Sequence, residues 1–116
     1  MINLCYWKDA DFETYDWVGW CTATTPKKIV GANWAWQIAP NMSLHKAAKK
    51  MTPEHFLACY KHSLETEKME YIKSMLRKHD EEKLWIQLLF FEKEPVGDRV
   101  ALYEVLKTLT DEVTIT

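Results

Sequence analysis

The stretch Leu84-Trp85-Ile86-Gln87-Leu88-Leu89-Phe90-Phe91 decides the fold, because only Gln87 interrupts its apolar run. A strand that is apolar at nearly every position must be covered on both faces, as a central strand of a parallel sheet is. On its amino side, Asp80-Glu81-Glu82-Lys83 reads as a polar turn. On its carboxyl side a loop runs over residues 92–97, and Asp98 then caps a helix whose apolar face is Ala101, Leu102, Val105, Leu106 and Leu109. Glu112-Val113-Thr114-Ile115-Thr116 alternates as a last, short strand does.

Working back toward the start, Ile2-Asn3-Leu4-Cys5-Tyr6-Trp7 reads as a first strand and Trp17-Val18-Gly19-Trp20-Cys21-Thr22 as a second, buried one, with a polar connection between them. Thr24-Thr25-Pro26-Lys27-Lys28 ends that strand, and residues 29–40 are irregular and rich in aromatics. Ser43 caps a short helix through Leu44, Ala47 and Ala48. Thr52-Pro53-Glu54-His55 starts a longer helix with a threonine cap and a proline in the first turn. Phe56, Leu57, Tyr60 and Leu64 follow at helical spacing. After a break near Glu65-Thr66, Met69, Ile72, Met75 and Leu76 continue the period to about His79. Strands separated by helices predict an α/β fold: one domain over residues 1–116, a small three-layer sandwich with a mostly parallel central sheet and helices on both faces.

Composition narrows the function. A chain of 116 residues buries roughly two-thirds of its unfolded surface and needs no disulfide or metal to fold. A formal net charge of -2 excludes wrapping a nucleic-acid polymer but leaves nucleotide-sized ligands open. Cys5, Cys21 and Cys59 form no CxxC pair, so neither a zinc ribbon nor a thioredoxin-type motif is present, and reduced thiols in the cytoplasm are expected. The first residues lack a basic leader, and no apolar stretch is long enough to cross a bilayer. His55 and His62 share a helix face without a third ligand at metal spacing, and Lys46, Lys49 and Lys50 read as a solvated face. No Ser-His-Asp grouping, P-loop or dinucleotide fingerprint occurs.

Open parallel sheets take ligands beyond the carboxyl ends of their strands. Two segments share that edge here, residues 22–28 and 92–99. In Glu92-Lys93-Glu94-Pro95-Val96-Gly97-Asp98-Arg99, Gly97 lets the backbone approach a ligand and Arg99 offers a planar fork to a carboxylate or phosphate. The plainer reading is that Asp98 only caps and Arg99 pairs with a neighbouring acid. Asp98 competes with an anion for the helix start, so Glu92, Asp98 and Arg99 together suit a zwitterionic or nucleoside-like ligand better than free phosphate. Trp34 and Trp36, two apart, point opposite ways in an extended segment, one to stack on a ligand and one to pack inward. The predicted binding set is Cys21, Thr22, Thr24, Pro26, Trp34, Trp36, Glu92, Lys93, Gly97, Asp98 and Arg99.

From about residue 22 to 109 the chain resembles the family known as domain of unknown function 488. The resemblance rests on the turn Cys21-Thr22-Ala23-Thr24-Thr25-Pro26, on Gly31, Trp34, Trp36 and Ala39-Pro40, on Phe56 with Tyr60, and on Phe90-Phe91-Glu92-Lys93 ahead of Gly97-Asp98-Arg99. The family carries a Cys-His-Arg triplet where this chain has Gly97-Asp98-Arg99, and commonly a cysteine where it has Phe90. The resemblance therefore implies a family-like pocket without its thiol and imidazole. The expectation is a binding protein and not an enzyme, without metal or cofactor. It would hold a small polar or nucleotide-like molecule, as a viral or phage accessory factor that sequesters a ligand would, and its aromatic content admits a homo-oligomer. One alternative is a nucleotide or phosphate-ester hydrolase or transferase, with Glu92 or Asp98 as base and Arg99 holding charge. Another is a protein-interaction module anchored by exposed tryptophans.

Overall fold

The apolar run becomes β4 (Ile86–Phe90), every residue of it buried, in the middle of a five-stranded sheet. The computed structural model describes residues 1–23, 31–94 and 97–116. β4 lies between β1 (Ile2–Tyr6) and β2 (Trp17–Trp20); β5 (Val113–Ile115) flanks β1 and β3 (Asn33–Trp34) flanks β2, giving the order β3-β2-β4-β1-β5. All pairings are parallel, with Ile2 opposite Ile86 and Trp17 opposite Ile86 on its other side.

The sheet is sandwiched. On one face, Ile2, Leu4, Ile86, Leu88 and Phe90 join the buried residues of three helices: Tyr60 and Leu64 of α2 (Pro53–Thr66), Ile72 and Met75 of α3 (Met69–Glu82), and Ala101, Leu102, Val105 and Leu106 of α4 (Asp98–Lys107). The short α1 (Met42–Ala47) adds Leu44 to the same layer. On the other face, Cys5, Val18, Trp20 and Leu89 are covered by the connection from β1 to β2, through Trp7 of a 3-10 helix (Trp7–Asp9), Ala10 and Tyr15. That connection crosses β4, where the Asp11 amide donates to Gln87 Oε1 at 2.7 Å.

The one polar residue of the central strand thereby acquires a role. Gln87 Nε2 donates to Asn3 Oδ1 at 3.2 Å, and Asn3 Nδ2 donates to Thr114 Oγ1 at 2.9 Å. The three lie in register on β4, β1 and β5, a polar rung that satisfies buried amides which would otherwise be costly. The β1-to-β2 connection moves one way along the sheet on one face. The β3-to-β4 and β4-to-β5 connections move the opposite way on the other face, so all three crossings share one hand, as right-handed crossover demands.

Local boundaries differ from the sequence reading in a few places. Asn41, not Ser43, precedes the first turn of α1. Residues 80–82 are the end of α3, not a turn; Lys83, with φ of 54°, ends the helix in the left-handed conformation. Asp98 is the first residue of α4, not its cap; Gly97 holds the cap position. The stretch read as irregular contains β3. Thr52 does cap α2, accepting from the His55 amide at 3.2 Å.

Candidate functional site at the carboxyl edge of the sheet

The chain leaves β1 toward one face and β4 toward the other, so the carboxyl ends of these neighbours flank the sheet's topological switch point, where open α/β sheets open a crevice. Here Arg99 fills that end of the sheet. It is 1% exposed, its guanidinium 5.8 Å from the Phe90 ring centre. One terminal nitrogen donates to the carbonyl of Glu92, just past β4, and the other to the carbonyl of Thr116, just past β5. The Thr116 amide in turn donates to the Leu4 carbonyl at 2.9 Å. Burial lowers the Arg99 pKa from its ordinary value, and Cys5, Asp9, Glu94 and Glu92 oppose that shift. Arg99 Nε has no hydrogen-bond partner among the described residues. The sequence placed this guanidinium over an open cavity. The structure instead turns its fork inward, onto the main-chain carbonyls of Glu92 and Thr116.

A second polar cluster sits between the end of β2, the start of α4 and the middle of α2. Cys21, just past β2, is 1% exposed, and Tyr60 is fully buried. The Tyr60 hydroxyl donates to the Ile38 carbonyl at 2.6 Å. Burial pushes the Cys21 thiol up, and the Asp98 carboxylate nearby pushes it further; burial does the same to the Tyr60 phenol, with Cys21 and Asp98 adding to it. Asp98 is half-buried, and desolvation raises its carboxyl to about 6, despite the opposing bond to its own amide and the nearness of His45. Such a group changes charge near neutral pH, unlike an ordinary carboxyl. Lys68 closes the cluster on the α3 side, its ammonium bonded to Asn41 Oδ1 at 2.8 Å and its pKa lowered by burial.

Beside the first turn of α4 opens an apolar groove of about 470 Å³. Gly97 and Val100 form one wall, and Ala48, Met51, Phe56 and Leu57 line the side toward α2. Gly97, with φ of 61°, holds a conformation that side chains rarely adopt, and no atom of the described residues beyond its chain neighbours lies within 4 Å of where a Cβ would stand. The groove exists because α1 and α2 meet at a turn around Met51 just where β4 hands the chain to α4.

The predicted site residues fall into three groups. Cys21, Asp98 and Arg99 are gathered at the carboxyl edge, with Gly97 on the groove; Glu92 and Lys93 are exposed on the loop that leads to them. Thr22 accepts a bond from the Trp34 indole at 2.9 Å, yet Trp34 and Trp36 are both exposed (39% and 58%), so neither packs inward as the alternation had suggested. The reason is that β3 is two residues long and the chain turns at Ala35, which is the buried residue of the three. Thr24 and Pro26 lie outside the described residues. Sequence reasoning missed Tyr60 and His45 as neighbours of Asp98, and the apolar lining around Met51. The Phe56–Tyr60 helical pattern marked Tyr60 as inward-facing, but no local signal brings residues 45 and 60 to residue 98. No family model, no curated protein and no solved structure matches this chain.

Proposed function

We propose that the protein binds a small nucleoside-like molecule, without turning it over, in the groove beside the first turn of α4. The observation that carries this reading is the groove itself: an apolar cavity of about 470 Å³ at the carboxyl edge of a parallel sheet. That volume is within the range that cofactor-sized ligands occupy. A flat base suits walls of Met51, Phe56, Leu57 and Val100, and the Thr52 hydroxyl is the polar group on the same rim. Arg99 supports the site from behind by fixing the loop after β4. Binding without chemistry is favoured because burial keeps the thiols of Cys5 and Cys21 protonated, with Cys5 pushed up to about 12. The resemblance to the domain of unknown function 488 family belongs to the same proposal, as does a sequestering, accessory role.

Calorimetry against nucleosides and nucleotides tests it. One of them should bind with measurable heat and raise the melting temperature, and Leu57→Trp, which fills the groove, should abolish both effects. An absence of binding across the panel, or binding unchanged in Leu57→Trp, would falsify the assignment. The runner-up, hydrolysis or transfer on such a ligand, is favoured by one observation: the Asp98 carboxyl at about 6 suits a general acid or base near neutral pH. Turnover that disappears in Asp98→Asn while binding persists would decide for it.

A further inference from the structure

A second cleft opens at the opposite, amino edge of the sheet, between α3 and the start of β2. It is open there because β3 pairs only with Gly19 and Trp20, so no strand flanks Trp17 on its outer side among the described residues. The cleft holds about 200 Å³. Trp17 and Leu84 form its apolar wall, and the Trp17 ring is braced against Gly19. Tyr71, Ser74, Lys78 and Glu82 recur at helical spacing, so one face of α3 forms the polar wall. Tyr71 and Ser74 are half-buried in it, and Lys78 and Glu82 are exposed at its rim. Burial raises the Tyr71 pKa from its ordinary value, which keeps that hydroxyl a donor. Lys78 and Glu82 are four apart with the lysine first, the weaker order for a helical ion pair. Neither enters an ion pair among the described residues. We infer that this cleft binds a free α-amino acid with an apolar side chain, its carboxylate toward Lys78, its ammonium toward Glu82 and its side chain against Trp17 and Leu84. Residues four apart on a helix have Cβ atoms roughly 5–6 Å from each other, close enough to bracket both charges on one α-carbon. A plain anion would meet Glu82 as a like charge and a plain cation would meet Lys78, so the pair selects a zwitterion. The volume is below the roughly 300–1,000 Å³ of drug-sized ligands, which suits a molecule smaller than a nucleoside. The cleft shares no lining residue with the groove beside α4.

Calorimetric titration of the full chain with L-leucine and L-phenylalanine tests the site. At least one should bind with a stoichiometry of one. Its affinity should fall at least about tenfold in Lys78→Met and again in Glu82→Gln, both at exposed side chains that the fold does not need. For a leucine-binding chain, 4-methylpentanoate, which lacks the ammonium, and 3-methylbutylamine, which lacks the carboxylate, should each bind at least about tenfold more weakly than leucine. Leu57→Trp, which fills the groove at the other end of the sheet, should leave amino-acid binding unchanged, so the two sites fail separately. No heat from either amino acid would overturn the inference. So would equal binding by the full chain and both charge variants, or a one-charge analogue that binds as tightly as leucine.

Discussion

Arg99 and Asp98 are adjacent in the chain and opposed in energetics. Arg99 is buried with its charge held by two carbonyls, so truncating it leaves both without a donor. Arg99→Met should lower unfolding free energy by about 3 kcal/mol in urea titrations. Lysine should not rescue it, because a single ammonium cannot span both carbonyls as the guanidinium does. Asp98 costs stability. Its carboxyl ionises at about 6 in the folded chain against an ordinary 3.8. Between these values the folded chain holds more protons than the unfolded one, so stability falls as pH rises through that window and stays lowered above it. Asp98→Asn should therefore stabilise the protein by about 1–3 kcal/mol at pH 7.5 and leave it unchanged near pH 3.5, by denaturant melts at both. A variant no more stable than the parent at the higher pH would show that the carboxyl is well solvated.

Among the elements, those whose signal is local were legible in the sequence. β4 declared itself by an apolar run broken only at Gln87, and α2 by a threonine cap with a following proline, both where expected. Thr52→Ala should cost about 1 kcal/mol, measured by thermal or urea unfolding. β3 was missed because two residues hold no periodicity, and the last turn of α3 because its charged residues resemble a turn while Lys83 alone reverses the chain. The loop after β4 drew attention because it joins a buried strand to a helix. Its arginine was assigned to a ligand because nothing nearby in sequence reveals that the Thr116 carbonyl lies beside it. β2 carries a constraint hidden in one residue: the Trp17 ring lies over Gly19, where a Cβ would collide with it. Gly19→Ala should destabilise by about 1–3 kcal/mol and shift the tryptophan emission as the ring is displaced.

For the whole molecule, burial sorts the three thiols. Cys5 and Cys21 are each 1% exposed on opposite faces of the sheet, and Cys59 is half-exposed on α2. A thiol reagent at neutral pH should modify Cys59 promptly and the other two only as the protein unfolds. Rapid reaction of all three in the native protein would mean that the sheet opens locally. The same comparison run with and without a bound nucleoside would report whether the groove stabilises the molecule as a unit.

The rung of Gln87, Asn3 and Thr114 joins side chains 84 and 111 positions apart along the chain. As the polypeptide leaves the ribosome, β1 therefore waits unpaired until β4 has emerged, and its second neighbour, β5, follows later still. Such non-local topology is slow to assemble, and the waiting strand, Ile2-Asn3-Leu4-Cys5-Tyr6, is the segment on which nascent chains would stick to one another.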